Sequence, residues 1–247
     1  MSLLRPARAA NSAERIDTAP NDPIVLGKSL LQIAAVNRWL GGWRSVLLEL
    51  PAFLPPDGPA RVLDVGTGNG DGAIAVARWA RHHRREVHIT ASDAQARVLD
   101  VARRHTAAYP EIRVEPADAL SLPYPDGAFH AVLLTLTFHH FENGEALRVL
   151  RELARVARLG IIVSDLDRSW ANYLGARFLG LTLWARNPLT RHDGPLSVLR
   201  AYTAPELLAL AQRAGLGSPR IHRRLFQRLV LLAGGCTALS PPAKDLA

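Results

Sequence analysis

The feature that most constrains this chain is a short apolar strand that runs directly into a glycine-dense turn. The segment from Arg61 to Gly72 reads RVLDVGTGNGDG, and an apolar run typical of a helix follows it. Glycine suits a turn where the backbone takes positive φ or approaches a ligand, since a Cβ would obstruct both. The N–H groups and dipole of the next helix favour an anionic ligand. We therefore expect an α/β fold with a nucleotide-type cofactor site at this turn.

The glycines can be read in two registers, which correspond to two cofactor classes. Read from Gly68, the spacing Gly68-x-Gly70-x-x-Ala73 satisfies the dinucleotide pattern of nicotinamide enzymes. Read from Gly66, the turn follows an acidic strand end at Asp64, and this register resembles motif I of the class I methyltransferases that use S-adenosylmethionine (SAM). In that family the acidic residue lies near the amino-acid end of the cofactor. The resemblance implies that these residues bind the cofactor: Asp64, Gly66, Thr67, Gly68, Asn69 and Gly70.

A second acidic strand end supports an adenosine ligand. The predicted strand from Val87 ends at Asp93, with Ala94 after it. A carboxylate at this position accepts hydrogen bonds from ribose hydroxyls in nicotinamide and SAM enzymes alike. Asp93 and Ala94 are therefore predicted to bind the cofactor, but they do not distinguish a nicotinamide cofactor from SAM.

A longer stretch distinguishes between the two cofactor classes. Residues 117–132 read ADALSLPYPDGAFHAV, in which Asp118 and Ala119 fall where a third strand would meet an adenine ring. This stretch resembles the methyltransferase motif that runs from the adenine-binding Asp through L-P-[FY]-P-D to a Phe before the fourth strand. The acidic residue that commonly follows that Phe is His130 here. The resemblance implies SAM as the cofactor and leaves catalysis at position 130 without support.

The fourth strand is predicted to carry the candidate base. Its apolar run ends near Thr135, a predicted cofactor contact, and leads to His139 and His140 at the sheet edge where ligands bind. An imidazole titrates near neutrality and can take a proton from a hydroxyl nucleophile, so His140 or His139 is the predicted base, with His192 in reserve. Alternatively, the pair only packs against the cofactor. We expect no metal, because adjacent side chains diverge and no carboxylate cluster accompanies them.

Acceptor contacts are expected from two helical additions. An aromatic-rich helix after the fifth strand, beside the N-terminal helices, would form a lid over an apolar acceptor, although it could equally close the core. The polar stretch from Thr190 to Ser197 is predicted as a loop that orients a phenol or carboxylate, or is held by an Asp–Arg pair. The predicted substrate residues are Trp39, Trp43, Asp167, Arg168, Trp170, Tyr173 and Arg191.

The resemblance covers Pro59 to Gly234 and implies the fold. We expect a Rossmann-like, seven-stranded, mostly parallel sheet with an antiparallel last strand and helices on both faces. The predicted parts are a poorly ordered tail without chemistry (1–22), an N-terminal helical cap (23–58), a methyltransferase domain (59–234) with an insertion (169–202), and a frayed tail (235–247).

Composition limits the partners. The net charge of +8 invites a nucleic-acid interpretation, but its arginines are dispersed along predicted helices, where a solvated face is the simpler reading. One cysteine, Cys236, excludes an internal disulfide and fits a reducing cytoplasm. No apolar run reaches the ~20 residues of a membrane span. We expect a cytoplasmic monomer or homodimer.

Within its superfamily the chain resembles the small-molecule branch related to ubiquinone and menaquinone biosynthesis. That resemblance implies a metal-independent O- or C-methyltransferase for an aromatic, quinol or polyketide-like acceptor. Three alternatives stay open: an RNA methyltransferase, an NAD(P)-dependent oxidoreductase and a non-catalytic SAM-binding protein.

Overall fold

The fold is organised around one seven-stranded sheet. A computed structural model of the chain describes residues 5–10, 12–18, 22–224 and 228–235. Neighbouring strands follow the order β3-β2-β1-β4-β5-β7-β6, in which β7 runs antiparallel to β5 and β6 and the other neighbouring pairs are parallel. The predicted mostly parallel sheet with an antiparallel last strand is confirmed. The strands are β1 (Ala60–Val65), β2 (Val87–Asp93), β3 (Ile112–Pro116), β4 (Phe129–Thr135), β5 (Ala157–Leu166), β6 (Arg220–Arg224) and β7 (Arg228–Gly234).

Helices cover both faces of this sheet and its ligand-binding edge. In chain order they are α1 (Arg15–Thr18), α2 (Pro23–Trp39), α3 (Gly42–Glu49), α4 (Asp71–His82), α5 (Ala96–Thr106), α6 (Asn143–Val156), α7 (Trp170–Leu181), α8 (Pro188–Arg200) and α9 (Ala204–Arg213). A break separates α2 from α3, because Gly41 takes a left-handed φ of 68°. Helix α6 is capped by Glu142 through a capping box with Glu145.

Alternation along the strands divides the core into two layers. On β4, Val132 and Leu134 pack with α6 and α9 on one face, whereas Ala131 and Leu133 pack with α3 and α4 on the other. Because both faces of the central strands are covered, the sheet presents only its carboxyl edge to a ligand.

The N-terminal segment differs from the expected irregular tail. Its described residues pack onto the domain, and α1 begins where the buried Asp193 carboxylate accepts hydrogen bonds from the N–H groups of Arg15 and Ile16, both at 3.0 Å. Arg5 forms an ion pair with Asp167 at 2.5 Å. These partners lie far along the chain, so periodicity within the segment could not reveal them.

The insertion also differs from expectation. The stretch from Thr190 to Ser197, predicted as a polar loop, lies inside α8, which begins where the Asn187 side chain accepts from the N–H of Leu189 at 3.1 Å. Pro195 lies within this helix. Of the predicted C-terminal tail, Gly235 is described and residues 236–247 lie outside the described residues.

Candidate active site

A cavity of about 850 Å³ lies at the carboxyl edge of the sheet, between the strand ends and the helices α2, α7 and α8. Most of the predicted cofactor and base residues line it: Asp64, Gly66, Thr67, Gly68, Asn69, Asp93, Ala94, Asp118, Ala119, Thr135, His139 and His140. Its walls include apolar residues of α2 and α7, among them Ile33, Val36 and Leu179. The size and mixed lining are those of a small-molecule site.

The three glycines of the turn serve different purposes. Gly66, Gly68 and Gly70 have φ values of 65°, 58° and 82°, a region that favours glycine. A Cβ on Gly66 would lie 2.6 Å from Thr137 Oγ1, and one on Gly70 would lie 2.7 Å from a Thr106 methyl. At Gly68 the nearest atom would be 3.9 Å away, so this glycine leaves open space toward the cavity. Gly68 therefore permits close approach of a ligand, whereas Gly70 permits packing and does not line the cavity.

Three strand-end carboxylates face the cavity. Asp93 accepts hydrogen bonds from the N–H groups of Gly68 at 3.2 Å and Gln95 at 3.0 Å, and Asp118 accepts from Leu120 N–H at 2.9 Å. Asp64 accepts from Thr67 Oγ1–H at 2.7 Å. Each carboxylate has lone pairs left for ligand hydroxyl or amine groups.

Burial makes ionisation of two of these carboxylates unfavourable. Burial raises the pKa of Asp93, and burial together with the neighbouring carboxylate of Asp71 raises the pKa of Asp64 to about 7 despite the Thr67 hydrogen bond. A cationic ligand in the cavity would favour the ionised form of Asp64. The glycine turn and its acidic neighbours thus suit a ligand that carries both hydroxyls and positive charge.

Several buried polar atoms at the same edge lack hydrogen-bond partners. Asn37 Oδ1, Thr135 Oγ1 and Arg228 Nη1 are unpartnered, and all three residues line the cavity. Burial lowers the pKa of Arg228 to about 10, against the opposing effect of Asp165 and Asp71. An unpaired buried donor or acceptor is costly, so a cavity lined by such atoms is suited to a polar ligand. Asn37 belongs to the N-terminal helices that were expected to face a substrate, whereas Arg228 was not predicted, since it only begins an apolar strand.

His139 is held between two carboxylates. Its Nδ1 lies 2.8 Å from Asp165 and its Nε2 lies 3.4 Å from Glu14. Burial lowers the pKa of His139, but the charges and hydrogen bonds of Asp165 and Glu14 outweigh it and raise the pKa to about 10. Burial alone would raise the pKa of the Glu14 carboxyl, but the neighbouring His139 and His140 lower this pKa to about 2. The raised pKa favours the imidazolium form, whose ring N–H groups face the two carboxylates, so His139 is unsuited to act as a base.

His140 has a different environment. Its Nδ1 lies 2.7 Å from Asp17, which also accepts from Gln95 Nε2 at 3.1 Å. Its Nε2 is 3.8 Å from Glu14, too far for a hydrogen bond. The Asp17 carboxylate orients the ring and His140 lines the cavity, which is an arrangement that suits a general base.

Neither of the two reasons given for expecting no metal holds at the histidine pair. The rings lie 4.5 Å apart at a tilt of 34°, so the side chains do not diverge, and carboxylates accompany them. Glu14, His139 and His140 bring possible ligand atoms within 4.8 Å of one another. A proton on His139 Nε2 would repel a metal cation at this position. Metal independence therefore stays a prediction, now based on the positive charge of His139.

Most predicted substrate residues lie outside the cavity lining. Trp43 lines it and donates Nε1–H to Asp71 at 2.6 Å. Asp167 is paired with Arg5 and Arg168 with Glu206, while the predicted reserve base His192 is paired with Asp193. Trp39, Trp170, Tyr173 and Arg191 also fall outside the lining. Their contact with a substrate stays a prediction, whereas other aromatic residues, Phe141, Phe178 and Trp184, line the cavity.

Comparison with known proteins agrees with this geometry. A family model described as a methyltransferase domain matches residues 62–160. The chain is 35% identical over 171 residues to demethylmenaquinone methyltransferase of Deinococcus radiodurans, an alignment that covers 63% of this chain and 67% of that protein. It is 34% identical over 122 residues to 27-O-demethylrifamycin SV methyltransferase of Amycolatopsis mediterranei, covering 45% and 40% respectively. The two alignments thus cover about two thirds and two fifths of the length of these relatives.

Among solved structures, a SAM-dependent methyltransferase from Aquifex aeolicus shares the fold. It superposes with a TM-score of 0.61 at 20% identity, covering 87% of this chain and 98% of the other. Among the described residues, no helix has both the length and the apolar character needed to cross a membrane.

Proposed function

The chain belongs to the class I methyltransferases that use SAM, and we propose that it methylates an oxygen or carbon atom of a small, largely apolar acceptor. Aromatic, quinol and polyketide-like molecules are the acceptor classes that we favour. The observation that carries this proposal is the cavity, whose glycine turn and carboxylates adjoin apolar walls from α2 and α7. Relatives named for a menaquinone and a rifamycin substrate add support for acceptors of this kind.

We propose that the cofactor is held by the residues that line the turn. Asp93 would accept from ribose hydroxyls, Asp118 from the adenine amine, and Gly68 would give the backbone access to the ligand. The unpartnered atoms Arg228 Nη1 and Asn37 Oδ1 offer a donor for a carboxylate and an acceptor for an ammonium group, the two charges of an amino acid. Both side chains are at least nine-tenths buried, so a ligand would satisfy atoms that solvent cannot reach.

SAM supplies a methyl group that its positively charged sulfur already activates. The chain must then align the acceptor and remove one proton. We propose that His140 takes this proton at Nε2, while Asp17 accepts from Nδ1 and stabilises the imidazolium that forms. The positive charge on His139 would stabilise an acceptor oxyanion, and the apolar walls would exclude water.

The test is direct transfer with purified protein. SAM is incubated with a panel of phenols, quinols and polyketides, and products are examined by mass spectrometry for the added methyl group. Transfer RNA and NADH serve as matched probes for the RNA-methyltransferase and oxidoreductase alternatives. Binding of S-adenosylhomocysteine without methylation of any acceptor would favour a non-catalytic SAM-binding protein instead.

The setting is also part of the proposal. The single cysteine supports action in a reducing cytoplasm, and we propose a monomer or a homodimer as the assembly. Size measurement in solution distinguishes these two assemblies.

A further inference from the structure

The exposed large hydrophobic side chains of the described residues are confined to one part of the molecule. We call them the apolar surface, and its members are Ile24, Leu31, Trp39, Leu48, Trp170, Leu174, Phe178, Leu181 and Leu183. All belong to α2, α3, α7 or the turn after α7, and none belongs to a strand or to α4, α5, α6 or α9. Scattered exposed apolar residues need no explanation, but a set confined to neighbouring helices indicates an interaction site.

Helix α7 shows this most clearly because it is apolar on two sides. Trp170, Leu174, Phe178 and Leu181 recur at three- and four-residue spacing and therefore lie along one exposed face. The other side of α7 packs inward through Ala176 and Leu179. A helix that only closed the core would have no reason to carry the outer stripe.

The apolar surface adjoins the mouth of the cavity. Phe178 lines the cavity and is also 65% exposed, so the cavity opens beside it. Gln32 of α2 donates to the carbonyl of Leu183 at 3.3 Å, which places the end of α7 against α2. Phe178 of α7 therefore links the apolar surface to the entrance, and the cavity-lining residues of α2 lie on the other side of that helix from its exposed apolar residues.

Most charged residues of these segments are basic, and the acidic residues Asp22, Glu49 and Asp193 lie only at their ends. Neither residues 23–48 nor residues 169–192 contain an acidic residue. Their cations are Lys28, Arg38, Arg44, Arg177, Arg186 and Arg191, and all six are exposed. An apolar stripe with tryptophan and a surrounding of cations is the pattern of a surface that lies in the interface of an anionic bilayer.

We propose that the apolar surface docks peripherally on an anionic lipid bilayer, with the cavity mouth turned toward the lipid. Membrane docking does not depend on the proposed reaction, whereas entry of an apolar acceptor from the bilayer rests on it. Two terms contribute to binding: insertion of the apolar side chains and attraction of the cations to anionic headgroups.

Vesicle flotation tests the proposal with the full chain. Wild type is mixed with vesicles of phosphatidylcholine alone, or of phosphatidylcholine with phosphatidylglycerol, at low and high salt. We expect binding to the anionic vesicles that weakens as salt rises. The double substitution Leu174→Ser and Leu181→Ser removes two exposed side chains that do not line the cavity. It should weaken vesicle binding by about tenfold or more.

Charge variants provide a matched comparison. Arg177→Gln should weaken binding about fivefold, whereas Arg213→Gln on α9, outside the apolar surface, should leave it unchanged. S-adenosylhomocysteine binding should be retained in every variant, which separates failure of docking from failure of the proposed function. Absence of wild-type binding, equal binding by the Leu174→Ser and Leu181→Ser variant, or a solution dimer that buries these residues without vesicle binding would each overturn the proposal.

Discussion

Replacing Asp64 by asparagine should stabilise the unliganded protein and weaken its hold on SAM. The Asp64 carboxylate is buried, and its pKa is raised from the ordinary 3.8 to about 7 by burial and by nearby carboxylates. The folded state therefore binds the proton more tightly than the unfolded state. Below pH 3.8 both states are protonated and Asp64 costs no stability. As pH rises toward 7 stability is lost, and above 7 the full cost remains.

The size of the effect follows from the difference between the two pKa values. At 1.36 kcal/mol per pH unit, the full cost at alkaline pH is about 4 kcal/mol. Asparagine is neutral and nearly isosteric, and it loses about 1 kcal/mol through a weaker bond with the Thr67 hydroxyl. Asp64→Asn should therefore stabilise the protein by about 3 kcal/mol at pH 8, and this gain should grow by about 2.5 kcal/mol between pH 5 and pH 8.

Urea unfolding followed by circular dichroism, at several pH values without ligand, measures this directly. Thr67→Val is a matched control, since it removes the hydrogen bond and leaves the charge. Calorimetry in buffers of different ionisation enthalpy adds a second readout: wild type should release protons when it binds SAM at pH 7, and Asp64→Asn should not. A stability difference between the two proteins that stays constant from pH 5 to pH 8 would refute the reasoning.

Three further predictions concern the cavity. In calorimetry, Arg228→Met should weaken binding of S-adenosylhomocysteine by about 10- to 100-fold and leave the affinity for 5′-methylthioadenosine, which lacks the amino acid, unchanged. Equal losses of affinity for both ligands would mean that Arg228 only supports the fold. His140→Ala should lower turnover by about 100-fold or more with S-adenosylhomocysteine affinity retained, whereas His192→Ala outside the cavity should turn over normally; full turnover in the first variant would remove His140 as the base. Treatment with a chelator should leave turnover unchanged and elemental analysis should find no stoichiometric divalent ion, because His139 is protonated where a metal would bind; retained stoichiometric zinc would contradict this.

The local parts of the fold and site were accessible from the sequence. The alternation of strands and helices from β1 to β5 and the positive-φ turn at Gly66 to Gly70 follow from short-range patterns, whereas α1 and α8 lie where a tail and a loop were expected. The two strand-end acids Asp93 and Asp118 could be placed because parallel strands bring their carboxyl ends to one edge. Each of these features depends on residues within one short segment of the chain, so the spacing of residues in that segment is enough to predict it.

Tertiary structure decided how the site is completed. Glu14 and Asp17 lie in a segment without periodicity, and they reach the histidines because Asp193 of α8 binds the start of α1.

The protonation of His139 and the orientation of the His140 ring depend on those distant carboxylates, so the sequence alone could not tell the two histidines apart. Arg228 likewise acquires its role from burial at the sheet edge. Pairing between residues more than a hundred positions apart leaves no spacing to read, because only the folded chain brings the charges within the few ångströms over which they act.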